Sequence, residues 1–153
     1  MRAVLALRVI VPSVWLGALV ALSFVETPLK FLGPGITVPL GLGIGRLVFN
    51  ALGVIGAVAL IATTLLALPR PRVGRAGGIL IGALWVVLAA EQFLVRPPLN
   101  ARSDIVIAGG DPGESMLHYV YIVCDVAILG LLIALIVVAA RRVLPRTVPA
   151  DAS

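Results

Sequence analysis

The chain of 153 residues is 61% hydrophobic and only 12% charged. A water-soluble domain of this length is usually about half apolar and about a quarter charged, so the composition excludes an ordinary soluble protein. The net charge of +5 does not indicate nucleic-acid binding, because the arginines cluster at the ends of apolar runs, where they orient a protein in a membrane. We therefore expect an integral membrane protein that contacts the lipid bilayer and binds no nucleic acid.

Four apolar segments, each near the length of about 20 residues that crosses a bilayer, predict four transmembrane helices. The connections between them are short, which predicts an all-α fold, an integral membrane antiparallel four-helix bundle. Residues 1–140 form one domain in this interpretation, and the basic tail, residues 141–153, is predicted to be cytoplasmic and disordered. In chain order the predicted spans are 9–26, 46–68, 77–95 and 115–140.

The first apolar segment has an alternative interpretation as a cleaved signal peptide over residues 1–23. Its start is basic, and Ala21-Leu22-Ser23 resembles a cleavage site. The segment is long for a signal peptide, however, and Trp15 and Glu26 are typical of a helix inside a bundle. We therefore expect a retained span. The connection after it, residues 26–41, contains three prolines and several glycines, which predict a break in the helix.

Small residues recur at helical spacing in the second and third segments. Such stripes let helices approach closely in lipid, where apolar burial alone does not drive association. They are predicted to serve packing within the bundle or in a homo-oligomer. A nucleotide-binding loop at residues 41–47 is excluded, because no strand precedes it and no P-loop lysine follows. The stripes are Gly41, Gly45, Gly53 and Ala57, and then Gly74, Gly78 and Gly82.

The positive charges predict how the bundle is oriented. With the N terminus in the cytoplasm, eight arginines lie in cytoplasmic segments and four cations lie on the other side. This predicts a multi-pass protein of the cell membrane with both termini in the cytoplasm. The cytoplasmic set is Arg2, Arg8, Arg70, Arg72, Arg75, Arg141, Arg142 and Arg146, and the other set is Lys30, Arg46, Arg96 and Arg102.

Ionisable residues gather toward the non-cytoplasmic ends of the predicted spans, where each charge is costly and needs a partner. A rise of about 1.5 Å per residue places Glu91 and Asp125 at a similar depth of roughly 6 Å, within reach of Arg46. On span four the face that carries Asp125 becomes apolar beyond it, at Ile128 and Leu132. We therefore predict a polar pocket open to the non-cytoplasmic side. Its predicted lining is Glu26, Arg46, Asn50, Glu91, His118, Tyr121 and Asp125, and its outer rim is Arg96, Arg102, Asp104 and Glu114.

The residues before span four, Asp111-Pro112-Gly113-Glu114, have the pattern of a helix N terminus. Asp111 is predicted to cap the helix and Pro112 to occupy its first turn. Glu114 then completes a capping box or belongs to the rim of the pocket.

A purely structural interpretation of the polar residues stays open beside the pocket. In it, Glu91 and Asp125 form buried ion pairs with Arg46 or Arg96, and these pairs only hold the helices in register. Arg96 and Arg102 then pair locally with Asp104. The aromatic residues are interfacial anchors in this view, namely Trp15, Tyr119 and Tyr121.

We predict neither a cofactor nor a metal centre. Cys124 is the single cysteine, which excludes an internal disulfide and a paired-cysteine redox centre. One histidine among scattered carboxylates is a poor ligand set for zinc or copper, and the repeated Glu-x-x-His pattern of di-iron bundles is missing.

Four stretches taken together resemble a family of small four-helix bacterial membrane proteins classed as a domain of unknown function. The resemblance covers about residues 9–140 and implies a four-span bundle, without a catalytic motif. PLNARSD, residues 98–104, is also similar to small membrane oxygenases that act on anthrones, but a second histidine and a paired tryptophan are missing, so no catalytic residue is carried over. The four stretches are ALSFVETPLKF (21–31), GLGIGRLVFNAL (41–52), EQFLVRPPLNARSDIVIAGG (91–110) and HYVYIVCDVAIL (118–129).

Three functions are consistent with the pattern. The leading hypothesis is a pocket that binds a small solute or ion, or helps to transport it. Because four spans are few for a transporter, this version favours an oligomer. An alternative is a small membrane enzyme in which His118 works with Asp125 or Glu91 as acid and base. The third is a structural or accessory membrane subunit.

Overall fold

The computed structural model describes residues 2–143 of the chain. Within them, four helical segments are long enough and apolar enough to cross a membrane, and we number them spans one to four. Because these residues contain no strand, the predicted all-α four-helix bundle is confirmed. Span one is Arg2–Leu32, span two is Val38–Ala67, span three is Arg75–Ile107 and span four is Leu117–Arg142.

The spans form a ring in which each packs against the span before it and the span after it, and span four closes the ring against span one. Short connections join consecutive spans, so neighbours run antiparallel. We call the end that holds Arg2, Arg142 and the connection 68–74 the terminal end. The opposite end holds the connections 33–37 and 108–116, and we call it the polar end.

Apolar side chains from all four spans fill the centre of the ring. Ile128 and Leu132, predicted on the apolar continuation of the Asp125 face, are almost fully buried there. Trp15 also belongs to this core, which contradicts its interpretation as an interfacial anchor. In lipid such a core is stabilised by close van der Waals packing. It separates the polar end of the bundle from the terminal end.

Two helices continue beyond their predicted ends. Span one stays helical through Leu32, so the break predicted over residues 26–41 is confined to residues 33–37. Span two then begins at Val38, after Thr37 Oγ1 accepts a hydrogen bond of 3.4 Å from the backbone N–H of Leu40. Span three continues through Ile107, although the sequence analysis placed residues 96–115 in a connection.

Widened π-helical turns precede the prolines near the polar end of spans one and three, whereas Pro12 lies in the regular α-helical part of span one. The turns are Val20–Glu26 and Glu91–Val95, and each directly precedes a segment that carries prolines. Proline lacks an N–H and crowds the carbonyl four residues earlier, which breaks a regular α-helix. A π turn changes this spacing, and the helix continues as one piece. In the first turn, the Thr27 hydroxyl donates a hydrogen bond of 2.9 Å to the carbonyl of Leu22.

The helix start predicted at Asp111 and Pro112 is wrong. The helix begins at Leu117, because Gly113 adopts a φ of +71°, a left-handed conformation that favours glycine and interrupts a helix. Asp111 Oδ1 instead accepts from the Gly113 N–H at 2.8 Å, and Ser115 Oγ accepts from the Leu117 N–H at 3.2 Å. Asp111 is therefore a turn residue, and Glu114 lies exposed in the loop rather than in a capping box.

The glycines of span two contact other parts of the same chain. Gly41 lies against the Phe31 ring, and Gly53 lies against the side chains of Gln92 and Arg96. In span three, by contrast, Gly78 and Gly82 are exposed, and a Cβ added at either would meet no atom within 4 Å. Close packing inside the bundle therefore accounts for the span-two stripe, while a homo-oligomer stays a prediction.

At the terminal end, one arginine is buried. Arg8 is 7% exposed, and its guanidinium group donates three hydrogen bonds to carbonyl oxygens where span two ends. The acceptors are Leu66 at 2.8 Å, Pro69 at 2.8 Å and Pro71 at 2.7 Å. These carbonyls have no hydrogen-bond donor within the helix, so Arg8 supplies the donors that the end of span two lacks.

The basic tail begins as helix. Residues 141–143 continue span four, and Arg142 Nη1 donates a hydrogen bond of 3.0 Å to the carbonyl of Arg72. The remainder of the tail that was predicted to be disordered, residues 144–153, lies outside the described residues.

Candidate functional site

A hydrogen-bond network joins spans two and three below the polar end, with Glu91 and Arg96 buried, Gln92 half-buried and Asn50 exposed. Arg96, which is 7% exposed, donates from Nη1 to Gln92 Oε1 and from Nη2 to Asn50 Oδ1, both at 2.7 Å. Gln92 Nε2 in turn donates to Glu91 Oε1 at 3.0 Å. We call these four residues the arginine network. It holds one guanidinium charge in the interior and gives one oxygen of Glu91 a donor.

Asp125 lies beside this network but has no hydrogen bond to it. The residue is 3% exposed, and its Oδ1 has no hydrogen-bond partner of good geometry among residues 2–143, although the Ser23 hydroxyl lies close to the carboxylate. Glu91, equally buried, has one unpartnered oxygen, Oε2. The charges of Glu91, Arg96 and Asp125 are close enough to interact electrostatically. An unpartnered buried carboxyl oxygen is rare, because burial without a donor is costly.

Asp125 lines a cleft of about 240 Å³ between spans one and four, which we call the Asp125 cleft. Span one contributes residues at its π turn and at the proline that follows, and Phe49 comes from span two. The buried residues Ile128 and Leu132 follow Asp125 along span four, toward the terminal end. The lining residues are Ser23, Phe24, Thr27, Pro28, Phe49, His118, Tyr121, Ile122 and Asp125.

A second cleft of about 110 Å³ is lined by residues of spans one, two and three and by His118 of span four, and it shares Thr27, Phe49 and His118 with the Asp125 cleft. Two cations line it. Lys30 Nζ lies 3.3 Å from Glu26 Oε2 and 5.5 Å from the centre of the Phe49 ring. Arg46 pairs with Asp104 at 2.5 Å. Each cation therefore already has a carboxylate partner.

The prediction that Arg46 reaches Glu91 and Asp125 is wrong. Arg46 instead bonds to residues on the helical extension of span three, namely Asp104 and the carbonyl of Asn100 at 3.3 Å. The sequence analysis placed that extension in a loop, so it had no helix on which to place a partner for Arg46. Arg96, predicted at the rim, takes the interior position because span three does not end before it.

The structural interpretation in terms of direct ion pairs also fails for the inner carboxylates. Within residues 2–143, the ion pairs shorter than 4.0 Å are Glu26–Lys30 and Arg46–Asp104, so neither Glu91 nor Asp125 forms one. The local pairing of Asp104 with Arg96 or Arg102 does not occur either. The Arg102 Nη2 donates to the Gly113 carbonyl at 2.6 Å, which ties span three to the loop before span four.

Three residues of the predicted pocket lining lie on span four, and the structure places them in different surroundings: His118, Tyr121 and Asp125. Tyr121 is buried and packs against Phe49 with ring centres 5.1 Å apart, so it is no interfacial anchor. His118 is exposed and lies at the mouth shared by the two clefts. Tyr119 is 60% exposed on the outside of the bundle, where an anchoring role fits.

The structure assembles neither a metal site nor an acid–base pair in the described part of the chain. No three side chains of histidine, cysteine, aspartate or glutamate converge there. His118 also makes no hydrogen bond to Asp125 or Glu91 within residues 2–143, so the pair that the enzyme hypothesis needs is not preformed.

Comparisons with protein-family models, with curated proteins and with solved structures gave no match for this chain. The two family resemblances therefore stay predictions. Any function has to be argued from the geometry of the clefts and of the arginine network.

Sequence reasoning missed several residues that line the clefts. Ser23 counted only as part of a cleavage site, while Thr27 and Lys30 fell in a predicted loop. The signal that finds them is helical spacing, because positions 23, 27 and 30 share one face if span one is extended as a helix. Phe49 carried no signal of its own, since an apolar residue in a span is most often ordinary packing.

Gly53 provides a direct test of the arginine network. A Cβ on Gly53 would lie 2.7 Å from Gln92 Oε1 and 2.8 Å from Arg96 Nη1, closer than real contacts allow. Both side chains have to shift to relieve this contact, which weakens the hydrogen bond between them, so we expect Gly53→Ala to lower the free energy of unfolding by about 1 kcal/mol. Thermal unfolding in mild detergent, followed by circular dichroism, measures the loss.

The matched control for this test is Gly82→Ala, which places the same methyl group where no atom lies within 4 Å. It should be neutral or slightly stabilising, since alanine favours a helix by up to about 1 kcal/mol over glycine. Equal stability of the two variants would show that the network is not held as tightly as described.

Proposed function

We propose that the Asp125 cleft binds a small solute or ion, and that this binding is the function of the polar end. One observation supports the proposal above all: Asp125 is 3% exposed and lines the cleft, and its Oδ1 forms no hydrogen bond of good geometry within residues 2–143, although the Ser23 hydroxyl is nearby. An ionisable group inside a membrane protein is costly to keep and usually marks a path or a site for a ligand. The arginine network gives Glu91 Oε1 a hydrogen bond from Gln92, but it gives Asp125 no hydrogen bond.

The geometry favours binding over catalysis. A general acid or base has to be within hydrogen-bond reach of the proton that it moves. His118 lies at the exposed mouth, and no hydrogen bond links it to Asp125 within the described residues. A small ligand between spans one and four, by contrast, needs only the polar wall that Ser23, Thr27 and Asp125 provide.

Charge distribution supports an opening on the non-cytoplasmic side. The terminal end carries exposed arginines in both termini and in the connection 68–74, as expected for cytoplasmic segments. In that orientation the Asp125 cleft opens away from the cytoplasm. The apolar core separates it from the terminal end, so a transport version of the proposal requires the spans to move against one another. The arginines concerned are Arg2, Arg70, Arg72, Arg75, Arg141 and Arg142.

Cysteine accessibility tests whether this cleft is open to water. Cys124 is the single cysteine, so Cys124→Ala gives a background without thiols. In that background, Ser23→Cys places a thiol in the cleft. If the cleft admits a water-borne ligand, as proposed, a charged, membrane-impermeant thiol reagent will label this thiol, because Ser23 lines the cleft.

Two further variants calibrate the labelling. Val25→Cys lies on the same turn of span one but on its exposed, apolar outer face, and should react slowly in lipid. Leu32→Cys lies at the exposed end of the span and should react quickly. If Ser23→Cys reacts as slowly as Val25→Cys, the cleft is closed to water and the proposed binding function fails.

A further inference from the structure

We infer that the solute is a small monovalent organic cation, an ammonium group with apolar substituents, held by Asp125 and the aromatic rings of the cleft. This inference rests on the proposed function and names the class of ligand for the same site. It is carried by a count of buried charges, by the composition of the cleft wall and by the positions of the neighbouring cations.

The buried layer around Asp125 has more negative than positive charge when its acids are ionised. Glu91, Asp125 and Arg96 are all at least nine-tenths buried, which gives two carboxylates and one guanidinium group. The guanidinium bonds to Gln92 and Asn50, and Gln92 bonds to Glu91. The one uncompensated negative charge is therefore shared between Glu91 and Asp125, and of these two residues it is Asp125 that lines the cleft. A single positive charge entering the cleft would balance it.

The wall of the cleft suits an organic cation better than a bare ion. Phe24, Phe49 and Tyr121 present aromatic rings, and aromatic faces attract ammonium groups. Phe49 already receives one such group, since Lys30 Nζ lies 5.5 Å from its ring centre. A metal ion would need several oxygen ligands, whereas Asp125 is the single carboxylate among the lining residues described.

Neighbouring cations do not prevent this binding. Lys30 and Arg46 line the second cleft rather than the Asp125 cleft, and each is paired with a carboxylate. The described lining of the Asp125 cleft includes no lysine or arginine, so an anion would meet Asp125 without compensation. The volume of about 240 Å³ is below the range of about 300–1,000 Å³ typical of sites for drug-sized ligands, which fits a compact head group.

Calorimetric titration of the purified chain in mild detergent tests the inference with two water-soluble probes of similar size. Benzyltrimethylammonium carries the positive charge and the aromatic group, and benzylsulfonate carries the opposite charge. We expect the ammonium probe to bind and the sulfonate probe not to bind. Asp125→Asn should weaken binding of the ammonium probe at least about tenfold, because it removes the charge and keeps the shape.

The matched control is Asp111→Asn, which makes the same chemical change in the exposed loop before span four and should leave affinity unchanged. If Asp125→Asn does not fold, Asp125→Glu should retain binding, and Phe49→Leu should weaken it by about threefold or more. The inference is overturned if the ammonium probe fails to bind the unmodified chain, if it binds Asp125→Asn equally well, or if benzylsulfonate binds better. These results leave the proposed function standing when Ser23→Cys is labelled, whereas an unlabelled Ser23→Cys removes both.

Discussion

Arg96→Leu will strongly destabilise the bundle, by about 3–5 kcal/mol in the free energy of unfolding, as is typical when one partner of a buried charge group is removed. Arg96 is 7% exposed and bridges spans two and three through Gln92 and Asn50. It is also the positive charge that interacts with Glu91 and Asp125. Without it, two buried carboxylates face each other with no cation between the spans. Thermal unfolding in mild detergent measures the effect.

The control for this substitution is Arg102→Leu, which removes an arginine six residues further along the same span. Arg102 is only half-buried and bonds to a single carbonyl, that of Gly113. Its loss should cost about 1 kcal/mol or less. If the two leucine variants unfold at the same temperature, Arg96 has no special role in the interior.

A double variant identifies the electrostatic part of the loss. In the Arg96→Leu background, Glu91→Gln removes one of the two uncompensated charges and keeps the shape of the side chain. We expect it to restore about 1–2 kcal/mol, while the same change in the unmodified chain destabilises it. If Glu91→Gln lowers stability equally in both backgrounds, then charge compensation by Arg96 is the wrong explanation.

The second large effect is expected at the terminal end, where Arg8→Lys will lower the free energy of unfolding by about 3 kcal/mol. The guanidinium of Arg8 satisfies three carbonyls at 2.7–2.8 Å, those of Leu66, Pro69 and Pro71. A lysine keeps the positive charge but has no planar fork, so it cannot reach all three acceptors. Two charged hydrogen bonds are lost, and each contributes about 1.5 kcal/mol or more.

Arg2→Lys is the matched control for this prediction, since Arg2 is exposed at the start of the same span. It should leave stability unchanged within about 0.5 kcal/mol, as is usual for surface positions. Reversible unfolding by titration with a denaturing detergent compares the two variants. Equal midpoints for Arg8→Lys and Arg2→Lys would mean that charge alone, and not the three hydrogen bonds, matters at position 8.

The errors at the site have one main origin, which is the treatment of proline. Residues 26–41 were assigned to a connection because their prolines and glycines are incompatible with a regular α-helix, and the third predicted span was ended at residue 95, directly before Arg96-Pro97-Pro98. The π turns Val20–Glu26 and Glu91–Val95 allow both helices to continue. The extension of span three moved Arg96 into the interior and brought Asp104 to Arg46. The sequence analysis used no pattern that predicts such a turn.

At the start of span four the error is the reverse, because the helix was predicted to begin earlier than it does. Asp111 and Pro112 form a valid start signal, but a signal of this kind contributes only about 1 kcal/mol. Gly113 with its positive φ and the bond from Arg102 to its carbonyl close a turn instead. Arg102 lies on span three, 11 residues before Gly113, so the turn that replaces the predicted helix start is held by a contact with the preceding span.

The sequence by itself determined the membrane character, the four spans and the end of the bundle at which the ionisable residues gather. These properties depend on composition and on the order of apolar runs, which are local and additive. The tertiary structure alone decided which charge meets which: Arg46 with Asp104, Arg96 with Gln92 and Asn50, and Asp125 with a cleft. Partners across a bundle depend on helix length and rotation. A shift of one residue turns a side chain by about 100°, and a change of that size decides whether a carboxylate has a donor or lines a cleft.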